Sequence, residues 1–227
     1  MIGVIANVIT VLIGSLIGLV FRKGISEKIT NSAMVAIGLC NLCIGVSGMM
    51  QGKDTIILII AMVVGTMIGT AVDIDGKLNS LSEKAALKIK GSSSNPAEGF
   101  ITASLVFCVG SMTILGGLDA GLKGDNTLYY TKAILDLISS AMLTTTLGIG
   151  VVFAAGTVLV YQGALVLLAS VLAPFLSADM IAELNCAGSL MIFALGLNLC
   201  GVGKFKVANF LPAIVIVPVA CVVRGLF

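Results

Sequence analysis

The sequence predicts an all-α polytopic membrane protein of about eight transmembrane helices. Three observations predict it. Of the 227 residues, 58% are hydrophobic and only 11% charged, with a mean hydropathy of +1.15. A soluble domain is about one-quarter charged, so this chain could not cover its apolar atoms in water. Apolar runs of roughly 20 residues, the length that crosses a bilayer at about 1.5 Å per residue, recur from end to end. Finally, the basic residues fall unevenly on alternate loops. Disorder is excluded, because it needs low hydrophobicity and high charge.

The spans read as 2–21, 30–50, 55–72, 98–118, 128–146, 148–173, 183–202 and 207–226. In the first, Arg22 and Lys23 follow the apolar core instead of preceding it, so it is a retained span and not a cleaved signal. The second carries Cys40-x-x-Cys43, which has no second pair at ligand spacing and reads as buried packing residues. The third has Gly65 and Gly69 at small-xxx-small spacing, as Gly14 and Gly18 do in the first, and both pairs suit close helix packing.

The segment 73–97 is the one substantial polar stretch. Leu78, Leu81 and Ala85 share a face flanked by Lys77, Lys84 and Lys88, and Ser80 and Glu83 have capping-box spacing. It reads as a helix on the inner membrane surface or as a solvated loop. Gly91, Ser92, Ser93 and Ser94 follow as a linker. Asn95, Pro96 and Glu98 then supply an N-cap, a proline at N1 and a carboxylate at N3 for the fourth span. Between spans five and six, Thr144 to Gly150 is a tight turn or an unwound stretch. Span eight holds Pro212 and Pro218, which kink it, with Asn209 placed to satisfy freed backbone groups.

With the N-terminus outside, the inner loops hold Arg22, Lys23, Lys28, Lys77, Lys84, Lys88, Lys90, Lys204 and Lys206, and the outer loops and C-terminus only Lys53, Lys123 and Arg224. Both termini are therefore expected outside. Two internal matches stand out. Spans two and three resemble spans four and five, with Gly38 and Gly45 falling on Gly110 and Gly117 at an offset of 72. Ala36, Gly38 and Leu39 also fall on Ala194, Gly196 and Leu197 at an offset of 158, and a one-residue slip brings Asn41 onto Asn198. On this reading the chain is one membrane domain (1–227). Residues 1–72 are a first repeat, 73–97 an inner-face loop, 98–146 a central helix pair and 147–227 a second, inverted repeat.

The other totals exclude function classes. A net charge of +2 and the absence of Trp argue against nucleic-acid binding. The absence of His removes the usual metal ligand, general base and proton relay. With no nucleophile–base pair, metal cluster or phosphate loop, the chain is not expected to be an enzyme.

Polar residues within spans carry the functional reading. Lys132 and Asp136 lie four apart on span five and can pair. With Ser139 and Ser140 they form either a cation or coupling-ion site or an internal ion pair that fixes packing. Asn7, Asn41, Gln162 and Asn198 are buried amides that must be satisfied in lipid. Together they read as a shared polar cavity, with Asn41 and Asn198 converging near its centre. Ser111 and Thr113, followed by Gly116 and Gly117, mark where span four unwinds, with Asp119 at its outer mouth. Glu98, Asp119 and Lys132 are gating or ion-pair candidates.

Several stretches resemble a known family: Glu98 to Met112 (EGFITASLVFCVGSM), Lys132 to Ser140 (KAILDLISS), Leu147 to Val151, Tyr161-Gln162-Gly163, Gly196 to Leu199, and Asn209 to Ala213. They look like the domain of unknown function 554, the YdfK/YqgA-like bacterial membrane proteins. That resemblance implies a bacterial or archaeal inner-membrane protein and no substrate. Its stretches include Glu98, Asp136, Gln162 and Asn198.

The function expected is secondary transport of a small polar solute or ion, with coupling to a cation such as sodium or a proton left open, no other cofactor and no metal. The alternatives are a channel-like pore and a non-transport scaffold or sensor subunit. The partners expected are the bilayer and the solute, with a homo-oligomer left open and no nucleic acid. The orientation is testable. Alkaline phosphatase fused after Phe227 is expected to be active, and green fluorescent protein there to stay dark; the opposite result would invert the bundle.

Overall fold

In hydrocarbon every backbone N–H and C=O must be satisfied within the chain, and a helix does this locally. The computed structural model describes residues 1–22, 26–77, 80, 96–108, 111–174 and 176–225, and among the described residues there is no strand. The helices are α1 (Ile2–Arg22), α2 (Glu27–Met49), α3 (Thr55–Val72), α4 (Pro96–Cys108), α5 (Ser111–Leu122), α6 (Thr127–Leu147), α7 (Gly150–Leu167), α8 (Ala169–Leu172), α9 (Ala178–Leu199) and α10 (Ala213–Arg224). A 3₁₀ turn, Val207–Phe210, precedes α10.

Among the described residues, α1, α3, α7, α9 and the stretch Val207–Arg224 are each long and apolar enough to cross a membrane. α4 and α5 together make a sixth candidate, bent by 58°. The chain is thus an all-helical, multi-pass membrane protein with five to six such spans, where eight were expected. The difference lies in α2, whose shorter apolar stretch is Met34–Met49, and in α6. The latter has 21 residues but includes Lys132, Asp136, Ser139, Ser140 and three consecutive threonines.

Two compact units interleave along the chain. The first comprises Met1–Met34, Asn79–Cys108 and Met112–Leu172, and the second Val35–Leu78, Val109–Ser111 and Ala173–Phe227.

In the first unit α1 buries Val4, Asn7, Val11, Gly14 and Gly18. α6 buries Tyr129, Ala133, Asp136, Ser140, Leu143 and Leu147. Both stripes advance by three and four residues in turn, the spacing of a two-helix seam. The helices run parallel, because Gly3 lies against Asn126 and Tyr129, and Gly18 against Ala141 and Thr144. Large side chains point away from the seam: Ile5, Ile9, Leu16 and Val20 on α1, Ile134, Leu135, Ile138 and Met142 on α6. Small residues inside and bulky ones outside is the order expected where lipid is the solvent.

Asp125 precedes α6. Its carboxylate accepts from the Thr127 hydroxyl (2.7 Å) and amide (2.9 Å), which holds the Asp125 carboxyl below the usual carboxylate range. α6 ends at Gly148, whose φ of 79° favours glycine. Spans five and six are therefore separate helices joined by a tight turn. α7 runs antiparallel to α1, with Val4 in one cluster with Val166 and Asn7 bonded to Gln162. α4 and α5 follow α7 in parallel, from Gly150 against Pro96 to Gly117 against Leu165 and Gly121 against Ala169.

Pro96 opens α4 with Glu98 in its first turn, as expected. The two arms of the bent span four are Pro96–Cys108 and Met112–Leu122. Gly116 and Gly117, expected to unwind, lie inside α5 and pack on Tyr129 and Leu165. The Tyr129 hydroxyl donates to the Thr113 carbonyl at 3.1 Å, which anchors α5 to α6.

In the second unit α2 and α9 cross antiparallel, with Gly48 against Ser189, Gly45 against Phe193 and Gly38 against Gly196. A Cβ on Gly38 would stand 3.0 Å from the Gly196 carbonyl oxygen, and one on Gly196 2.8 Å from the Gly38 carbonyl oxygen. α3 runs antiparallel to the C-terminal segment, Gly65 on Ala213 and Gly69 on Asn209. α3 stops at Asp73, a left-handed residue (φ 52°) whose N–H reaches the Gly69 and Thr70 carbonyls.

Three expectations change here. Pro212 does not kink a helix but stands at the N-cap of α10, while Pro218 lies inside it. Asn209 does not serve the prolines; its side chain accepts from the Asp75 amide at 2.9 Å. Cys40 and Cys43 are exposed on α2 and not buried, and all six thiols are free. The inner-surface helix expected around Leu78, Leu81, Ala85, Lys84 and Lys88, the linker 91–94 and Asn95 lie outside the described residues.

A Cβ on Gly14 would collide with the Leu137 carbonyl and the Ser140 hydroxyl. Gly14→Ala is therefore expected to destabilise the fold by about 1–3 kcal/mol, read as a lower melting temperature in detergent. Gly156, with nothing within 4 Å of its would-be Cβ, is the control, and Gly156→Ala leaves the melting temperature unchanged or slightly higher.

Candidate polar site within the membrane helices

The site forms where the seam of α1 and α6 meets α7. Asp136 is the tenth residue of α6, so it lies roughly 14 Å along a helix of about 31 Å. Its burial follows from the seam, since the spacing that buries Tyr129 and Ala133 also turns Asp136 inward. Lys132, one turn earlier, is buried too. Its ammonium straddles the carboxylate, 3.0 Å from Oδ1 and 2.9 Å from Oδ2. The expected pairing of these two residues is present.

Two of the four predicted amides join them. Asn7 Nδ2 on α1 donates to Asp136 Oδ2 at 3.0 Å and to Gln162 Oε1 on α7 at 3.1 Å. Both amides are completely buried. Residues 129 and 155 positions away from Asn7 meet it only because α1 packs between α6 and α7. Asn7 Oδ1 and Gln162 Nε2 are buried with no hydrogen-bond partner among the described residues. Buried polar atoms are rarely left in that state. Cys108, at the end of α4 and beside the bend in span four, lies within electrostatic range of Lys132 and Asp136.

The remaining candidates separate from this group. Ser140 shares the buried face but donates to the Leu137 carbonyl of its own helix at 3.0 Å, so its hydroxyl proton is engaged. Ser139 is half-buried one step round the helix. Ser111 opens α5 just past the bend. Glu98 stands at the far end of α4, beside Gly99, which packs on Leu147 and Val151. Val151 is eleven residues from Gln162, about 16 Å along α7. Asp119 pairs with Lys123 at 2.7 Å on the exposed end of α5, and that bond raises the Lys123 pKa.

Asn41 and Asn198 belong to the second unit. Asn41 is buried with Nδ2 unpartnered. Asn198 lies in the last turn of α9, not near a centre. Its amide clips the following turn through both ends, donating to the Phe205 carbonyl and accepting from the Phe205 N–H, each at 2.8 Å. The expected convergence of the two asparagines is not seen.

Glu183 was not among the candidates. It is fully buried on α9, and its Oε1 accepts from the Lys53 and Asp54 amides at 2.6 and 2.9 Å. Asp54 in turn caps α3 and pairs with Arg224 at 2.7 Å. Glu183 opens the predicted span 183–202 and is the sixth residue of α9, but its partners come from a loop some 130 residues away.

The comparisons with known proteins agree with the membrane reading. A family model described as "Protein of unknown function (DUF554)" matches residues 2–222. The chain is 35% identical over 231 residues to a protein of Bacillus subtilis (strain 168) named "Uncharacterized membrane protein YdfK", covering 100% of this chain and 98% of the relative. It is 27% identical over 220 residues to the "Uncharacterized protein YqgA" of Escherichia coli (strain K12), covering 95% and 94%. No solved structure matches the chain.

The ion pair can be tested by stability. Lys132→Met alone leaves a buried carboxylate uncompensated and is expected to destabilise by about 3–5 kcal/mol. Lys132→Met with Asp136→Leu is expected to recover most of that loss. Chemical unfolding in detergent, analysed as a double-mutant cycle, reads both values.

Proposed function

We propose that this chain, which belongs to the DUF554 family, is a secondary transporter that moves a small polar solute or ion across the cytoplasmic membrane. One observation carries the reading. Helices with bulky apolar outer faces enclose a charged, amide-lined network whose Asn7 Oδ1 and Gln162 Nε2 have no hydrogen-bond partner among the described residues. Ionisable residues within membrane helices are rare, and they mark substrate and ion pathways. The bend of span four beside Cys108 supports it as well, because transporters place interrupted helices at their binding sites.

The chain crosses eight times on this proposal, with both termini outside. Packing directions support that count. α1 and α6 are parallel, as are the α4–α5 pair and α7, whereas α1 and α7 are antiparallel. α2 against α9 and α3 against the C-terminal segment are antiparallel. Each of these relations is the one that eight alternating crossings require. The inverted repeat draws support from the reciprocal approach of Gly38 and Gly196. Those residues are equivalent at the offset of 158, and residues related by a two-fold axis meet in this way where the axis passes between them.

Purified protein in liposomes is expected to show saturable flux of at least one member of a panel of amino acids, organic acids, uncharged solutes and cations. Asp136→Ala should reduce the flux about tenfold or more, equivalent to ~1.4 kcal/mol. Flux indistinguishable from empty liposomes across the panel would favour a scaffold whose network only fixes packing. Uptake that never saturates would favour a pore.

A further inference from the structure

We propose that the solute accepted by this site is a small uncharged molecule bearing a hydrogen-bond donor close to an acceptor, of the amide or hydroxyl class. The inference rests on the transport reading and narrows its substrate.

The direction of the hydrogen bonds gives the first constraint. An ammonium only donates and an ionised carboxylate only accepts. Asp136 therefore needs a donor from Asn7, which fixes Asn7 Nδ2 as the atom at 3.0 Å. The same Nδ2 also donates to Gln162, so the atom of Gln162 at 3.1 Å must be its oxygen. Turning over the Asn7 amide alone would set acceptor against acceptor at both contacts, and turning over Gln162 alone would set donor against donor. The chain Lys132 to Asp136, Asn7 to Asp136 and Asn7 to Gln162 thus has one polarity. Its two unpartnered atoms are an acceptor, Asn7 Oδ1, and a donor, Gln162 Nε2. A ligand with one group of each kind completes both.

Charge gives the second constraint. The Lys132 ammonium sits on both Asp136 oxygens, so the network is neutral without a ligand. A sodium ion at Asp136 would displace that ammonium or face it across one carboxylate. An anion at Lys132 would have to break the same pair. An uncharged solute needs neither change.

The surroundings are consistent with this. The buried stripe of α1 is Gly3, Val4, Asn7, Val11, Gly14, Ser15 and Gly18, with no charged residue. Ser15 lies two turns beyond Asn7, about 12 Å away, and its buried hydroxyl has no partner among the described residues. It offers a neutral polar group on the same stripe and no carboxylate for a cation.

The full-length protein in liposomes tests this. Vesicle volume is followed by stopped-flow light scattering with urea, acetamide and glycerol, and ion entry with radioactive sodium and rubidium. At least one uncharged probe is expected to enter several-fold faster than into empty liposomes, with ion entry at the empty-liposome level. Gln162→Met, which removes the free donor, should return the uncharged probe to baseline. Gln162→Asn, which keeps a donor on a shorter arm, should retain part of the rate and controls for folding. Sodium or rubidium flux lost in Asp136→Asn, with no uncharged probe transported, would overturn the substrate class and leave transport standing. Uncharged uptake untouched by Gln162→Met would overturn the site assignment. No probe moving at all would overturn the substrate class, and the transport reading falls with it only if the amino acids and organic acids of the wider panel also fail to move.

Discussion

The backbones of α1 and α6 touch where Gly14 meets the Leu137 carbonyl and the Ser140 hydroxyl. Most of what is distinctive in the first unit follows from that approach. In lipid there is little hydrophobic gain from pairing two apolar helices, so association depends on close packing and on interhelical hydrogen bonds. Glycine provides the first by removing the side chain that would hold the helices apart. The second follows, because at this separation the short amide of Asn7 reaches both Asp136 and Gln162. With larger residues at Gly14 and Gly18, α1 would stand off, and the carboxylate would keep Lys132 and lose its amide.

The second unit uses the same physics with different polar groups. Gly38, Gly45 and Gly48 bring α2 onto α9, and Gly65 and Gly69 bring α3 onto the C-terminal segment. The buried carboxylate here is Glu183, and it acts on backbone. It satisfies two amides just before α3, which a helix start in a membrane would otherwise leave open. Asp54, tied to Arg224, and Lys53, tied to Asp179, close the surrounding loop. Asp136 by contrast holds side chains, the Lys132 ammonium and the Asn7 amide, while Glu183 Oε2 is itself buried without a partner among the described residues.

Much of the fold was legible before any coordinates. Helical class, membrane solvent and the start of α4 at Pro96 follow from composition and local capping chemistry, which act over a few residues. The Lys132–Asp136 pair follows from helical spacing alone. The span count was less secure, because α6 is polar for the reason that makes it interesting. Asn41 and Asn198 were misjudged together: similar surroundings in sequence suggested similar places in the fold. Asn198, however, ends a helix and has the Phe205 backbone within reach. The unwinding assigned to Gly116 and Gly117 failed because glycine in lipid also serves close packing, and Tyr129 and Leu165 occupy that space.

By itself the sequence determined that this is a helical membrane protein, that α4 begins at Pro96, and that span five carries a charged pair. Those properties depend on composition and on short-range spacing. Only the tertiary structure decided that Asn7 and Gln162 complete the pair, that Glu183 caps α3 instead of facing a cavity, and which polar atoms are left over. Hydrogen-bond partners more than a hundred residues apart depend on which helices touch, and that choice is made by surfaces of small residues whose pattern in sequence fits several neighbours equally well.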